Sequence, residues 1–149
     1  LDHKTGVIYF GIPTSKWCQS MVEILNETAQ SNDCNEIYYY NIKKDRDTLS
    51  LNENNEVITE DNSTAFYREL LKELDGFTSK YTLEDAEGQS VDTGEKRIYV
   101  PLVVFVKDGE VKYAHEATVD SQTDSSTTLT KAQKNELTKI YQKGFNLIK

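Results

Sequence analysis

The sequence has few of the residues that build specialised scaffolds: 2 cysteines, 2 prolines, 2 histidines and 1 tryptophan occur among its 149 residues. Two cysteines are too few for the disulfide framework of a small secreted domain. No apolar run approaches the roughly 18 residues that a membrane-spanning helix needs, which predicts a soluble chain. With 37% hydrophobic and 28% charged residues, the chain is long enough to form one globular domain.

The acidic residues are concentrated in one segment. The chain carries a net charge of −8; residues 45–96 hold 14 Asp or Glu against 5 Lys or Arg, whereas the rest of the chain holds 11 against 12. An acidic protein is repelled by phosphates, which argues against nucleic acid as a partner. The segment at about 45–96 is therefore predicted to be an insertion, and the simplest interpretation of its charge is a solvated face.

The first 42 residues have the pattern of a β–α–β unit. Residues 7–10 form a β-branched and aromatic run that is typical of a buried strand, and a Gly-Ile-Pro-Thr break ends it. A helix is predicted to begin near Lys16 or Trp17. Its expected apolar face consists of Cys18, Val22, Leu25 and Ala29. A second strand at 37–42 implies a parallel pair with a right-handed crossover.

The acidic segment is predicted to be mostly loop around one helix. Residues 45–62 and 78–95 show no periodicity, and the helix at 64–76 has Ser63 or Thr64 as its cap. We expect its apolar side chains to dock on the sheet, and a lid or partner-binding helix is the alternative. These side chains are Phe66, Tyr67, Leu70, Leu71, Leu74 and Phe77.

The last third of the chain indicates a hairpin followed by a helix. Residues 98–114 alternate as two strands, with Asp108-Gly109 at the turn between them. Residues 119–130 are a Ser/Thr/Asp-rich loop. Thr130 is predicted to begin the final helix, with Gln133 completing a capping box.

A cysteine motif lies at the predicted start of the first helix. The run Tyr9-Phe10-Gly11-Ile12-Pro13-Thr14-Ser15-Lys16-Trp17-Cys18 resembles the thioredoxin-like bacteriocin-transport accessory proteins of Gram-positive bacteria, which have Tyr-Phe-Gly-x-x-x-Cys-x-x-Cys here. Val100-Pro101 and the hairpin after it resemble a second signature, a cis-proline before a hairpin. The resemblance covers residues 7–42 and 97–148. It predicts an α/β, thioredoxin-like fold, with a central mixed sheet flanked by helices, as a single domain over 1–149.

The resemblance implies a role for each residue of the motif. Position 15 would hold an exposed nucleophilic cysteine whose thiolate the helix N-terminus stabilises, and Cys18 would be the resolving thiol. Lys16 would add a positive charge, and Trp17 would belong to the surface that docks the partner. Pro101, in cis, would present the Val100 backbone to a cysteine-containing segment of that partner. Neither a cofactor nor a metal is expected.

Ser15 and Tyr9 depart from this pattern. A serine hydroxyl cannot form a disulfide, so the chain as written cannot cycle between dithiol and disulfide at positions 15 and 18. Two explanations stay open: a Cys→Ser change made to inactivate the protein or trap a partner, or a natural redox-inactive relative. Many thioredoxins carry a buried aspartate where Tyr9 stands, to accept a proton from the resolving thiol. Tyr9 therefore makes fast dithiol reduction less expected, and a role as an oxidase or as a specialised reductase easier to accept.

The second cysteine and the two histidines are predicted to have structural roles. Cys34 is predicted to be a solitary thiol, because a helix of about 12 residues spans about 18 Å. That separation exceeds the roughly 7 Å between Cα atoms that a disulfide with Cys18 would allow. His3 and His115 lack the neighbouring ligands that zinc requires and are predicted to lie at the surface or at strand ends.

The tyrosine run Tyr38-Tyr39-Tyr40 belongs to the second predicted strand. Successive side chains of a strand point to opposite faces of its sheet. We therefore expect Tyr39 to enter the core and its two neighbours to use the other face.

The resemblance implies an extracytoplasmic thiol–disulfide oxidoreductase that acts on the cysteines of proteins. A membrane or extracytoplasmic redox partner is expected, and nucleic acid is not. The chain begins at Leu1, so we expect that a signal, an anchor or a tag has been removed, and that the protein is secreted or membrane-anchored. The alternative is a naturally redox-inactive binding or accessory module for a secreted or transported partner. A cytoplasmic reductase is less favoured because of Tyr9 and the insertion.

Overall fold

The computed structural model describes residues 4–149, so His3 lies outside the described residues. Two compact units are present: residues 4–41 with Val100–Lys149 form the first unit, and Ile42–Tyr99 form the second unit. The mixed α/β class is confirmed. In chain order the elements are β1 (Gly6–Gly11), α1 (Lys16–Ser31), β2 (Tyr38–Asn41), β3 (Thr48–Leu51), β4 (Val57–Asp61), α2 (Ala65–Glu73), β5 (Ser79–Glu84), β6 (Ser90–Arg97), β7 (Leu102–Lys107), β8 (Glu110–Glu116) and α3 (Lys131–Leu147).

The first unit is built on a four-stranded mixed sheet in the order β2-β1-β7-β8. β1 pairs in parallel with β2 and antiparallel with β7, and β7 continues into β8 as an antiparallel hairpin. Asp108 and Gly109 form the turn with φ values of 53° and 81°, the conformation that a type I′ turn requires. The predicted β–α–β unit and the hairpin are both confirmed.

Helices α1 and α3 contact each other and share one hydrophobic core with the sheet. From β1 and β7 this core takes Val7, Tyr9, Val103 and Phe105. The C-terminal end of α1 is fastened to α3 by a reciprocal amide pair, in which Asn32 and Gln142 each donate to the other over 2.8 Å. Both helices are thereby held against the same sheet.

The apolar face of α1 is rotated from the predicted one. Val22 is 47% exposed, whereas Met21 and Ile24 are buried together with Cys18, Leu25 and Ala29. Thr28 is buried as well because its hydroxyl donates to the Ile24 carbonyl over 2.7 Å. A polar side chain that satisfies itself within the helix can lie on a buried face, and the apolar pattern does not reveal this.

Helix α3 begins as predicted and approaches the sheet closely. Thr130 and Gln133 form the reciprocal capping box. A side chain at Gly144 would collide with the Phe105 ring, so glycine at this position lets α3 lie against β7. The Phe105 and Phe145 rings meet edge to face, with centroids 5.2 Å apart.

The prediction that Tyr39 enters the core is wrong. Tyr38, Tyr39 and Tyr40 are 44%, 46% and 44% exposed. β2 is an edge strand of the described sheet, so neither face of the strand is deeply covered. Their rings lie against the neighbouring strand instead: Tyr39 packs on Tyr9 at 5.1 Å between centroids and Tyr40 on Phe10 at 5.8 Å.

The second unit contains strands where the sequence predicted loops. β3 pairs with β4, and β5 pairs with β6, each as a two-stranded antiparallel sheet. The strands were not recognised because most of their side chains are polar and exposed, so that no run of apolar residues marks them, although β5 alternates in burial. Their turns are aspartate and asparagine turns: Asn52 accepts from the backbone N–H of Asn54 and Glu56, each over 2.9 Å.

Helix α2 buries fewer side chains than expected. Thr64 is its N-cap, as predicted, and accepts from the Tyr67 N–H over 3.2 Å. Tyr67 and Leu74 are buried, as expected. Phe66 and Phe77 are 47% and 38% exposed, so the expected burial of these two side chains is wrong.

Arg97 and Tyr67 organise the interior of the second unit. Arg97 donates to the Asp47 carbonyl over 2.8 Å, and its guanidinium lies 4.1 Å from the centroid of the Tyr81 ring. The Tyr67 hydroxyl accepts from the Ile98 N–H over 2.9 Å, and both residues are fully buried. Among the described residues, no helix is long and apolar enough to cross a membrane.

Replacing a buried tyrosine by phenylalanine is expected to change the free energy of unfolding in opposite directions at Tyr67 and Tyr141. Tyr67→Phe leaves the buried Ile98 N–H unpaired, so we expect the free energy of unfolding to fall by about 1–3 kcal/mol. The Tyr141 hydroxyl has no hydrogen-bond partner among residues 4–149, so we expect Tyr141→Phe to raise it by about 1 kcal/mol. Urea denaturation followed by circular dichroism measures both. Equal losses in the two variants would contradict the assignment.

Candidate functional site around Cys18

The segment between β1 and α1 is a closed turn that presents Ser15 at the start of the helix. The Ser15 N–H donates to the Ile12 carbonyl over 2.9 Å, with Pro13 and Thr14 between them, as in a β-turn with proline at its second position. The Gln19 amide donates to the Pro13 carbonyl over 2.9 Å. The turn is thus held by its own backbone and by the first turn of α1.

Ser15 is the N-cap of α1. Its backbone is extended, with φ −74° and ψ 124°, and its hydroxyl accepts from the Cys18 N–H over 3.4 Å. Lys16 is exposed and Trp17 is half-buried, so part of the indole is accessible, as predicted. The first position of the motif is half-buried and the last is buried, since Ser15 is partly exposed and Cys18 is only 2% exposed.

Three tyrosines lie near Cys18. Tyr9 and Tyr141 share its buried core cluster, and Tyr39 shares a groove with it. Burial raises the pKa of the Tyr9 phenol, and its interaction with Cys18 raises it further. Burial also raises the pKa of Tyr141 on α3 and of Tyr39 on β2, and a charge on Cys18 would act in the same direction on both.

Gly11 makes room for the Tyr9 phenol. A Cβ atom built on Gly11 would lie 2.5 Å from the Tyr9 hydroxyl oxygen and 2.6 Å from Cζ. Tyr9 and Gly11 are two positions apart on β1, so they share one face of the strand. The Tyr9 ring therefore lies directly over the glycine.

A groove beside α1 leads to the Tyr9–Cys18 pair. Its volume is about 680 Å³. Tyr9 and Cys18 belong to its wall, together with exposed Val22 and Tyr39 and half-buried Ile37. Cys18 is buried, yet it forms part of the wall of this surface groove.

Val100 and Pro101 lie at the same sheet edge as the motif. Phe10 pairs with Leu102, so the end of β1 and the residues before β7 are neighbours. The Val100–Pro101 peptide bond is cis, as the resemblance implies. Half-buried Val100 packs against the core cluster that contains Cys18. The Pro101 carbonyl accepts from the Ala117 N–H over 2.8 Å.

The loop before α3 is tied to the first helix by a buried glutamine. Gln122 is 5% exposed and donates to the Ser20 hydroxyl over 3.2 Å and to the Thr127 carbonyl over 3.3 Å. In the same loop, hydrogen bonds from Ser126 hold the pKa of Asp124 below its usual value, and the charge of Lys16 adds to this effect. A glutamine in a Ser/Thr-rich loop carries no sequence signal for such a role.

Cys34 and His115 make contacts within the fold that are consistent with structural roles. Cys18 and Cys34 are both free, in agreement with the rejection of a disulfide between them. The Cys34 sulfur donates to the Glu36 carbonyl over 3.3 Å. His115 stands near the end of β8, with its Nε2 atom 2.6 Å from the Thr118 carbonyl. Within the described part of the chain, no three His, Cys, Asp or Glu side chains are grouped as a metal site.

No protein-family model, curated protein or solved structure matches this chain.

The burial of the two thiols predicts unequal reactivity. Cys34 is half-buried and Cys18 almost completely buried, so we expect an aromatic disulfide reagent to modify Cys34 in the native protein at least about tenfold faster than Cys18. Peptide mass spectrometry after timed quenching identifies each site, and 6 M guanidinium should equalise the rates. Equal native rates would contradict the burial of Cys18.

Proposed function

We propose that this chain has a thioredoxin-like fold and the framework of a thiol–disulfide oxidoreductase acting on protein cysteines, held inactive by the serine at position 15. The observation that carries the proposal is the position of Ser15: it caps α1 at an accessible turn, with Cys18 buried one helical turn below it. A sulfur at position 15 would stand at the N-terminal end of a 16-residue helix, where the dipole and unpaired N–H groups favour a thiolate.

The arrangement of the first unit supports the proposed fold. A β–α–β unit, then a β-hairpin and a final helix, is the order that the resemblance implies, and the four strands form one mixed sheet. Val100-Pro101 precedes β7 at the edge where β1 ends. Residues Ile42–Tyr99 stand where the insertion was expected, with four strands and one helix.

The proposed reaction needs a cysteine at position 15. In the oxidised form, a substrate thiolate attacks the sulfur at position 15, and the Cys18 sulfur leaves as a thiolate that takes up a proton. A second substrate thiolate then attacks the substrate sulfur of this mixed disulfide, and the sulfur at position 15 leaves. The substrate loses two electrons and two protons as its disulfide forms, and the protein gains them as a dithiol.

The substrate would be an extended, cysteine-containing segment of another protein. Trp17 offers a partly accessible indole beside position 15, Lys16 a positive charge, and the Val100 backbone a partner for strand-like pairing. An extracytoplasmic setting, with a membrane or extracytoplasmic redox partner, rests on the resemblance alone.

A redox-inactive binding module is the second candidate. The observation that favours it is the Ser15 hydroxyl, which accepts from the Cys18 N–H and so has a structural use of its own at the N-cap. In this case, the same surface would hold a secreted or transported partner without exchanging electrons.

Restoring the sulfur tests the proposal. We expect Ser15→Cys to form a disulfide with Cys18 and to accelerate both insulin reduction and the oxidative refolding of a reduced, disulfide-requiring protein, by at least about tenfold over the parent. Ser15→Ala is the matched control, because it removes the hydroxyl and supplies no sulfur. Adding Cys18→Ala to Ser15→Cys should trap mixed disulfides that a non-reducing gel displays.

Two outcomes separate the candidates. A Ser15→Cys chain that is inactive in both assays contradicts the oxidoreductase. A natural gene with a serine codon at position 15, together with partner binding that Ser15→Cys leaves unchanged, would favour the binding module.

A further inference from the structure

We infer that Gln122 is a positioning residue of the proposed site, which fixes the first turn of α1, next to position 15, relative to the segment at Pro101. The inference rests on the proposed function and deepens it, because it names the group that aligns the two sides of the surface for a substrate segment. Gln122 is 5% exposed, so it acts through its neighbours and not by touching the substrate.

The first half of the connection runs from the edge of the sheet to Gln122. The Pro101 carbonyl accepts from the Ala117 N–H over 2.8 Å. Ala117 follows the last residue of β8 and turns the chain with a φ of 66°. The next residue, Thr118, is 2% exposed, and its hydroxyl donates to the Oε1 atom of Gln122. The Gln122 side chain is therefore fixed to the segment that contacts Pro101.

The second half of the connection runs from Gln122 to the first turn of α1. The Gln122 Nε2 atom donates to the Ser20 hydroxyl over 3.2 Å, and this hydroxyl donates to the Lys16 carbonyl over 2.9 Å. Lys16 is the first residue of α1 and directly follows position 15. A series of hydrogen bonds thus links the Pro101 side of the proposed site to the helix turn beside position 15.

The partners of Gln122 define the orientation of its amide group. The Nε2 atom also donates to the Thr127 carbonyl over 3.3 Å. A carbonyl oxygen only accepts, so the nitrogen must face Thr127, and the Oε1 atom accepts from Thr118. Leucine at position 122 would have a similar size but would leave both of these buried partners unsatisfied.

A cleft of about 380 Å³ separates the first turns of α1 from the loop before α3. Lys16 and Ser20 line it on the helix side, and residues 125–129 line it on the loop side. Because side chains do not fill this space, close packing cannot fix the distance between its walls. Gln122 donates to one group on each wall, Ser20 and Thr127, and so holds the walls together.

Loss of the Gln122 contact is expected to move the N-terminal end of α1 more than the rest of the helix. The C-terminal end keeps its own attachment, the amide pair of Asn32 and Gln142. Small displacements of a reacting group can lower a rate by a large factor. A peptide that spans position 15 and the Val100 backbone depends on the spacing between them, whereas a small thiol that reacts at position 15 alone does not.

The test compares a peptide substrate with a small one in the Ser15→Cys, Cys34→Ala protein. The oxidised protein is mixed with the reduced insulin B chain, a flexible cysteine-containing peptide, or with dithiothreitol, and stopped-flow measurement gives each second-order rate constant. We expect the peptide constant to fall by about threefold in Ser20→Ala and about tenfold in Gln122→Leu. The dithiothreitol constant should fall by less than about twofold in both variants.

Ser121→Ala is the matched control. The Ser121 hydroxyl accepts from the Gln133 amide over 3.1 Å, so the same substitution removes the same kind of bond from the same loop, but this bond leads to α3. Both rate constants should stay within about twofold of the parent. Near-ultraviolet circular dichroism verifies that each variant is folded.

Trp17 allows a measurement that is independent of redox activity. It is the single tryptophan of the chain and lies half-buried in the first turn of α1. In the Ser15 chain, we expect the acrylamide quenching constant of Trp17 to rise at least about 1.5-fold in Ser20→Ala and Gln122→Leu, because a released helix end opens more often. Ser121→Ala should leave this constant unchanged.

The outcomes distinguish the two levels of the proposal. If Ser15→Cys forms no disulfide with Cys18, the proposed function fails and the positioning role of Gln122 fails with it. If Ser15→Cys is active but Gln122→Leu leaves the peptide constant unchanged, or lowers both constants by the same factor, this inference alone is overturned. Quenching of Trp17 that neither Ser20→Ala nor Gln122→Leu alters overturns it as well.

Discussion

The burial of Cys18 and Tyr9 in one core is the constraint on which the candidate site depends. Both side chains belong to the hydrophobic cluster that α1 shares with the sheet. Gly11, two positions after Tyr9 on the same face of β1, leaves room for the Tyr9 ring, because a Cβ atom at this position would overlap the phenol. Cys18 is buried in this core, while Lys16, the first residue of the helix, stays exposed.

Tyrosine hydroxyls have different tasks in the two units. In the second unit, Tyr67 accepts a backbone N–H and so substitutes for a strand partner within a small interior. In the first unit, Tyr9 packs in the core against the ring of Tyr39, and the buried hydroxyl of Tyr141 has no hydrogen-bond partner among the described residues. The same residue type thus contributes hydrogen bonding or packing, depending on which atoms face its oxygen.

The sequence was informative where periodicity and local capping coincide. Strands β1 and β7, the start of α1 and the capping box at Thr130 all follow from patterns within a few residues. The hairpins of the second unit escaped prediction because most of their side chains are polar and exposed, so that no apolar run marks the strands, and their Asn and Asp turns were interpreted as part of a loop. The residues of the candidate site were named from the sequence, but the contacts between them were not predicted. The approach of Tyr9 over Gly11 and the anchoring of Gln122 depend on residues distant in sequence.

The turn between Ile12 and Ser15 is closed by main-chain atoms and by Gln19, and the side chain at position 15 adds one long hydrogen bond of 3.4 Å. The backbone conformation of this turn therefore depends little on whether the side chain at position 15 ends in oxygen or in sulfur. Most serine codons differ from a cysteine codon by a single base. Under the proposed function, redox activity could therefore be lost or regained by one substitution at position 15, without rebuilding the helix or the sheet.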